Sequence, residues 1–163
     1  MIFIVLIVIS FGAGFVCAAS VYKKEKRVEI ENMSEQYNKL FLYFRILNMW
    51  LEMRQKGKST VTYLQKKGIG RIAIYGMKEL GERFYEEVKN TDIEVVCIID
   101  KNPQQVLGDF LVVSPEDNIP EVDAVIVTPD YYFPEIKKQM SEKVNCPIYS
   151  LRGVLGNSFG RNF

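Results

Sequence analysis

No histidine occurs in the 163-residue sequence, so the commonest general base at neutral pH and the commonest imidazole metal ligand are both missing. Any chemistry falls to carboxylate, lysine, tyrosine or cysteine. There are only three cysteines, Cys17, Cys97 and Cys146, widely separated and none in a C-x-x-C pair, which excludes a zinc site and a disulfide framework. Cys97 in an apolar strand and Cys17 in a hydrophobic span read as small buried hydrophobes. An excess of either charge is missing too, because 21 basic and 20 acidic residues nearly cancel. The cancellation hides a split. Residues 23–67 carry eleven basic and five acidic side chains, net +6, while residues 71–143 carry eight and fifteen, net −7. The acidic part would repel nucleic acid, which needs a basic surface, so no DNA or RNA partner is expected. The basic part is attracted to an anionic inner leaflet by about 1 kcal/mol per well-placed cation.

Charge is absent altogether from Met1 to Tyr22, MIFIVLIVISFGAGFVCAASVY. This run reaches the roughly 20 residues that cross a bilayer core. Lys23, Lys24, Lys26 and Arg27 follow it directly, and the positive-inside rule then predicts a single-pass anchor with the rest of the chain in the cytoplasm, at the cell membrane. A cleaved signal peptide is the competing reading, on the small-residue site Val16-Cys17-Ala18, but its basic leading region is missing. Ser10, Gly14 and Ala18 repeat every four residues, a spacing that permits close helix pairing in a membrane.

A helical stalk is expected over residues 23–68. Ile30, Met33, Tyr37, Leu40, Phe44, Leu47 and Leu51 recur at spacings of three and four, a heptad seam. From Leu40 to Met53 only Arg45, Asn48 and Glu52 are polar, so this part should be covered nearly all round. Three covers are open: its own domain, a second copy in a homodimer, or the bilayer surface with Trp50 among the headgroups. Gly57 should end the helix, and a short one from Ser59 to Lys67, with Ser59 as N-cap, should lead through Gly68 and Gly70 to a first strand.

Arg71 to Asp100 reads as buried strand, glycine turn, helix and second buried strand. The helix should start near Met77, bury Leu80, Phe84, Val88 and Tyr85, and turn Glu79, Glu82, Arg83, Glu86, Glu87 and Lys89 to water. Its N-terminus favours a phosphate. Of the dinucleotide fingerprint G-x-G-x-x-G the middle glycine is missing: Gly76 and Gly81 stand, and Lys78 occupies the place between them. That lysine either holds a phosphate as a point charge or marks a turn that keeps glycine for geometry alone. Asp100 stands where such folds place the acid that accepts ribose hydroxyls. Downstream, Phe110–Val113 reads as a short strand, Ser114–Asp117 as a helical turn, Val122–Thr128 as a long buried strand, Tyr131–Lys143 as a helix and Ile148–Ser150 as a last strand. Alternating strands and helices predict a parallel sheet with its ligand at the strands' carboxyl ends, where Gly76 to Gly81, Asp100 to Asn102 and Thr128 to Tyr131 meet.

IAIYGMKELGERFYEEVKNTDIEVVCIIDKN, with VDAVIVTPDYYFPEI and CPIYSL, resembles the small Rossmann-like nucleotide-sugar-binding domains of bacterial surface-polysaccharide biosynthesis, namely the N-terminal domains of sugar O-acyltransferases and of membrane-linked polysaccharide epimerase/dehydratases. The likeness covers about Gly70 to Leu155. It implies a nucleoside-diphosphate sugar or related nucleotide as ligand, with Gly76, Gly81 and Asp100 at the motif positions and Lys78 where that family usually has glycine. With the neighbouring loop residues, the expected nucleotide-binding set is Gly76, Met77, Lys78, Gly81, Asp100, Lys101 and Thr128; NAD(P) is the other candidate ligand, and polysaccharide-biosynthesis enzymes are candidate partners. The catalytic parts of those families are missing. Tyr63 and Lys67 have the Tyr-x-x-x-Lys spacing of short-chain dehydrogenases but precede the first strand, and the match is read as chance. The expected fold is α/β, a small Rossmann-like parallel sheet preceded by a transmembrane helix and a long amphipathic helix. Its parts are an anchor (1–22), the stalk (23–68), the Rossmann-like domain (69–155) and a disordered tail (156–163). The expected function is a non-catalytic, membrane-anchored module binding a nucleotide or nucleotide-sugar. The alternatives are a scaffold whose core binds no ligand and an NAD(P)-dependent oxidoreductase or epimerase fragment.

Overall fold

In the computed structural model, residues 2–106, 108 and 110–159 are described, and the side chains among them from residue 22 to 158. The chain divides into two compact units, Met1–Phe44 and Arg45–Phe163. The first is the amino-terminal part of helix α1 (Ile2–Gln55). Within it Lys39 pairs with Glu35 at 2.6 Å, one turn apart, and the rings of Tyr37 and Phe41 stack. The second unit holds the end of α1, helix α2 (Thr60–Lys66) and then β1 (Arg71–Tyr75), α3 (Glu79–Val88), β2 (Glu94–Ile99), β3 (Val112–Val113), β4 (Ala124–Val127), α4 (Phe133–Met140), β5 (Ile148–Ser150) and α5 (Leu151–Phe159). Gly57, at φ +66°, ends α1, because a left-handed residue there turns the chain at no steric cost. Ser59 caps α2 by accepting from Val61 N–H at 3.0 Å.

All strand pairings are parallel, in the order β3-β2-β1-β4-β5. The chain therefore reverses its winding between β1 and β4, the switch point of a doubly wound sheet. Both faces are covered, as near-continuous apolar strands require. Ala73, Tyr75, Cys97, Ile99, Val125 and Val127 pack with Ile136 and Met140 of α4. The alternate residues Ile72, Ile74, Ile98 and Ile126 are equally buried on the opposite parity.

Several elements depart from the sequence reading. Helix α3 begins at Glu79, because Lys78 is extended. The strand expected at Phe110 shrinks to two residues, Ser114–Asp117 is a turn closed by Asp117 Oδ2 on Ser114 N–H at 2.8 Å, and a 3-10 turn at Asp130–Tyr132 precedes α4. The tail expected to be disordered from 156 is helical to Phe159, since Leu151, Val154 and Leu155 form a buried stripe one turn apart; residues 160–163 lie outside the described residues. Glu87, expected in water, is turned inward. It accepts from Trp50 Nε1 at 2.5 Å and from Thr60 N and Oγ1 at 3.1 and 2.8 Å, with Arg54 3.8 Å away. Trp50 thus sits on the domain and not among headgroups, packed with Ile46 and Met53 on the face of α1 that is buried. Among the described residues no helix is long and apolar enough to cross a membrane. The uncharged span falls on residues 1–22, whose side chains before Tyr22 lie outside the described ones.

Candidate functional site

Three loops meet at the carboxyl end of the sheet, and β1 supplies the first. Gly76 leaves Tyr75 with φ +86° and gives its N–H to Ile99 O at 2.8 Å. A Cβ at Gly76 would stand 2.8 Å from Pro129 Cδ. A Cβ at Gly81 would overlap the carbonyl oxygen of Gly76. Both glycines are therefore required by the close approach of α3 to its own loop and to the loop after β4. Thr128 completes this contact. Its hydroxyl donates to Gly76 O at 2.8 Å and, more weakly, to Tyr75 O at 3.2 Å, and the side chain is buried. Thr128, Gly76 and Gly81 thus form one packed unit at the carboxyl ends of β1 and β4.

The accessible polar groups lie over β1 and β2. Lys78 is the N-cap of α3 in extended conformation and makes no side-chain cap hydrogen bond, so the positive end of the helix is left without a capping oxygen of its own. Asp100, at the tip of β2, accepts from Met77 N–H through Oδ2 at 3.2 Å and from Asn102 N–H through Oδ1 at 2.9 Å. The strand tip and the glycine turn are tied together by this one half-buried carboxylate. Lys78, Lys101 and Asn102 are exposed around it. The sequence-predicted residues are thereby split: Met77, Lys78, Asp100 and Lys101 border an accessible surface, while Gly76, Gly81 and Thr128 build its support.

Two neighbours were not foreseen. Tyr75 is buried, its hydroxyl has no hydrogen-bond partner among the described residues, and burial raises its pKa, helped by the negative charges of Asp100 and then Glu116. The signal in the sequence was a phenol ending an otherwise aliphatic strand. Asp130 is also buried, and its Oδ1 accepts from Arg152 N–H at 3.2 Å, capping α5. Arg152 Nε stands 3.0 Å from Oδ2, an ion pair without the alignment of a hydrogen bond. That pairing was invisible because no helix was expected after Ser150. Of the two described cysteines neither is activated: burial pushes the Cys97 thiol up to about 11 and raises Cys146 as well. No group of three or more metal-ligating side chains occurs among the described residues. Tyr63 and Lys67 lie on and just after α2, which leads into the amino end of β1, away from these loops.

A family model described as C2185-like, N-terminal, matches residues 68–149. That span is half of the chain and holds the glycine turn, Asp100 and the sheet almost to the end of β5. No curated protein and no solved structure matches the chain.

Proposed function

The chain belongs to the C2185-like, N-terminal family, and from that premise we propose that its Rossmann-like domain is a non-catalytic module binding a nucleotide or nucleotide-sugar in cell-envelope polysaccharide biosynthesis. The observation that carries the reading is the bond from Met77 N–H to Asp100 Oδ2. It holds the acid at the position of a ribose acceptor beside an uncapped helix start with Lys78 and Lys101 at hand, a grouping that would suit a nucleotide's hydroxyls and phosphates. The ligand would lie over β1 and β2. Lys78 would meet a phosphate as a point charge where a glycine would have let the backbone approach. The uncharged run of residues 1–22 and the four cations after it support a membrane anchor with this domain on the cytoplasmic side. Partner enzymes of the same synthesis would bring or receive the ligand.

The test is the melting temperature of the full chain in detergent with uridine, thymidine, guanosine and adenosine diphosphate sugars and with nicotinamide dinucleotides, each at millimolar concentration. A ligand held only by the native state raises it, by about 2.7 kcal/mol of stability at a hundredfold excess over Kd. Lys78→Gly decides the role of the lysine. Binding that weakens, in a salt-dependent way, assigns it to phosphate; binding that appears or improves shows that it blocks the site.

A second reading is favoured by the packing of Gly76, Gly81 and Thr128. These residues are fully accounted for by geometry, as in a scaffold whose core binds nothing. Silence of both the parent and Lys78→Gly toward every nucleotide would establish it.

A further inference from the structure

Within the second unit the buried face of α1 is Ile46, Trp50 and Met53, not the seam residues Leu47 and Leu51. Number the repeat so that Ile30, Tyr37, Phe44 and Leu51 are a and Met33, Leu40 and Leu47 are d. Ile46 and Met53, which are buried, then fall at c and the buried Trp50 at g. The a and d residues are all exposed, from 47% at Leu47 to 69% at Leu40, and Phe41 at e is 49% exposed. Eight large apolar side chains on one stripe, each showing on the order of 100 Å², give on the order of 800 Å², which is what one partner contributes to a standard interface. Soluble surfaces do not carry such a patch without use.

Charge says what covers it. Between residues 30 and 53 the charged side chains are Glu31, Glu35, Lys39, Arg45 and Glu52, at b, f, c, b and b. Positions a, d, e and g hold none in that stretch. A stripe kept free of charge along its seam and along both flanks, and repeating every seven residues, is complementary to itself: a second identical helix meets apolar rows and no like charge. A lipid-facing helix has no need of a seven-residue repeat and gathers cations on the polar face, and here that face is mixed, with Glu31, Glu35 and Glu52 against Lys39 and Arg45.

We propose that a second copy of this chain packs on the seam Ile30–Leu51, making the protein a coiled-coil homodimer. The proposal does not depend on the nucleotide reading, since a ligand-free scaffold would dimerise equally. Light scattering of the full chain in detergent should give a protein mass twice 18.8 kDa. Leu40→Lys should reduce it to one chain with an unchanged circular-dichroism spectrum, because Leu40 is 69% exposed. Leu40→Met and Glu35→Lys should leave the dimer intact. Under mild oxidation Leu40→Cys should cross-link well above the background of the parent, and Glu35→Cys should not. A parent protein of single-chain mass overturns the proposal, as does a Leu40→Lys protein that remains dimeric, which would assign pairing to the amino-terminal span. Leu40→Cys shielded from a water-soluble reagent by added lipid in a single-chain protein would give the face to the bilayer, again overturning it.

Discussion

Gly81 decides between two opposed effects at one position. Alanine is the better helix former by about 1 kcal/mol, and Gly81 is in the first turn of α3. Its Cβ would overlap a backbone oxygen, that of Gly76, which cannot rotate away. Overpacking of this kind costs about 3 kcal/mol, so Gly81→Ala should lower the urea midpoint. A midpoint that rises would show that α3 can shift and that the glycine is not structural. Asp100 is less expendable to the fold than its place at a strand tip implies from sequence. Removing its carboxylate strands Met77 and Asn102 N–H groups, so a ligand test at this position should use Asp100→Asn, which keeps an acceptor. At the opposite end of the sheet Asp123 Oδ2 accepts from Gly70 and Arg71 N–H at 2.8 and 2.7 Å. The Gly70 bond first, then the Arg71 bond, hold its pKa below the ordinary carboxylate value against desolvation. A carboxylate with a folded pKa below its unfolded one adds stability that is complete above the unfolded value and fades as pH falls through the folded one. Asp123→Asn should therefore be less stable than the parent at pH 7 and should flatten the loss of stability below about pH 4. Parallel pH profiles for the two proteins would remove Asp123 from the acid response.

Elements were legible where a period and a break coincided. The runs Ile72–Tyr75 and Ile148–Ser150 gave two of the strands nearly to the residue, Val122–Thr128 overran the four-residue β4 at both ends, and Leu80, Phe84 and Val88 gave the buried stripe of α3. What escaped was tertiary. Glu87 looks like one of several exposed acids on α3 until Trp50 and Thr60, distant in sequence, bring three donors to it. The stretch Arg45–Met53 looks apolar nearly all round until the domain buries Ile46, Trp50 and Met53 and leaves Leu47 and Leu51 exposed. α5 has too weak a period to be seen without the surfaces of α2 and the sheet that receive it. Glu87→Ala should expose the consequence, since it leaves the indole and the Thr60 donors unsatisfied in a buried place at about 1–3 kcal/mol, partly recovered in Glu87→Gln. Tryptophan fluorescence reads the result directly, because Trp50 is the sole tryptophan. A red-shifted, quenched emission with a lowered urea midpoint is expected for Glu87→Ala. An unchanged emission would mean that Trp50 is held by Phe84 and its apolar neighbours alone.

For the whole molecule, the parallel sheet and the meeting of Gly76, Asp100 and Thr128 at its carboxyl end followed from strand alternation, whereas the strand order and the division of those residues into accessible border and packed support are set by tertiary packing. Charge acts at this scale too. The segment with net +6 follows the uncharged run directly, and the segment with net −7 holds the sheet. An anionic inner leaflet would draw the first and repel the second, so the charge split agrees with the orientation proposed from Lys23, Lys24, Lys26 and Arg27. Residues near Asp100 should then be closed to a membrane-impermeant thiol reagent in intact cells. Asn102→Cys offers an exposed probe close to the site, measured against the parent so that labelling of Cys146 is subtracted. Labelling after lysis and not before, with the protein retained in the membrane fraction through carbonate extraction, is the expected outcome. Labelling before lysis would invert the orientation and place the candidate site away from cytoplasmic nucleotides. Release by carbonate would leave the +6 segment as a peripheral contact only, and recovery of a chain beginning near Ala19 would turn residues 1–18 into a cleaved signal.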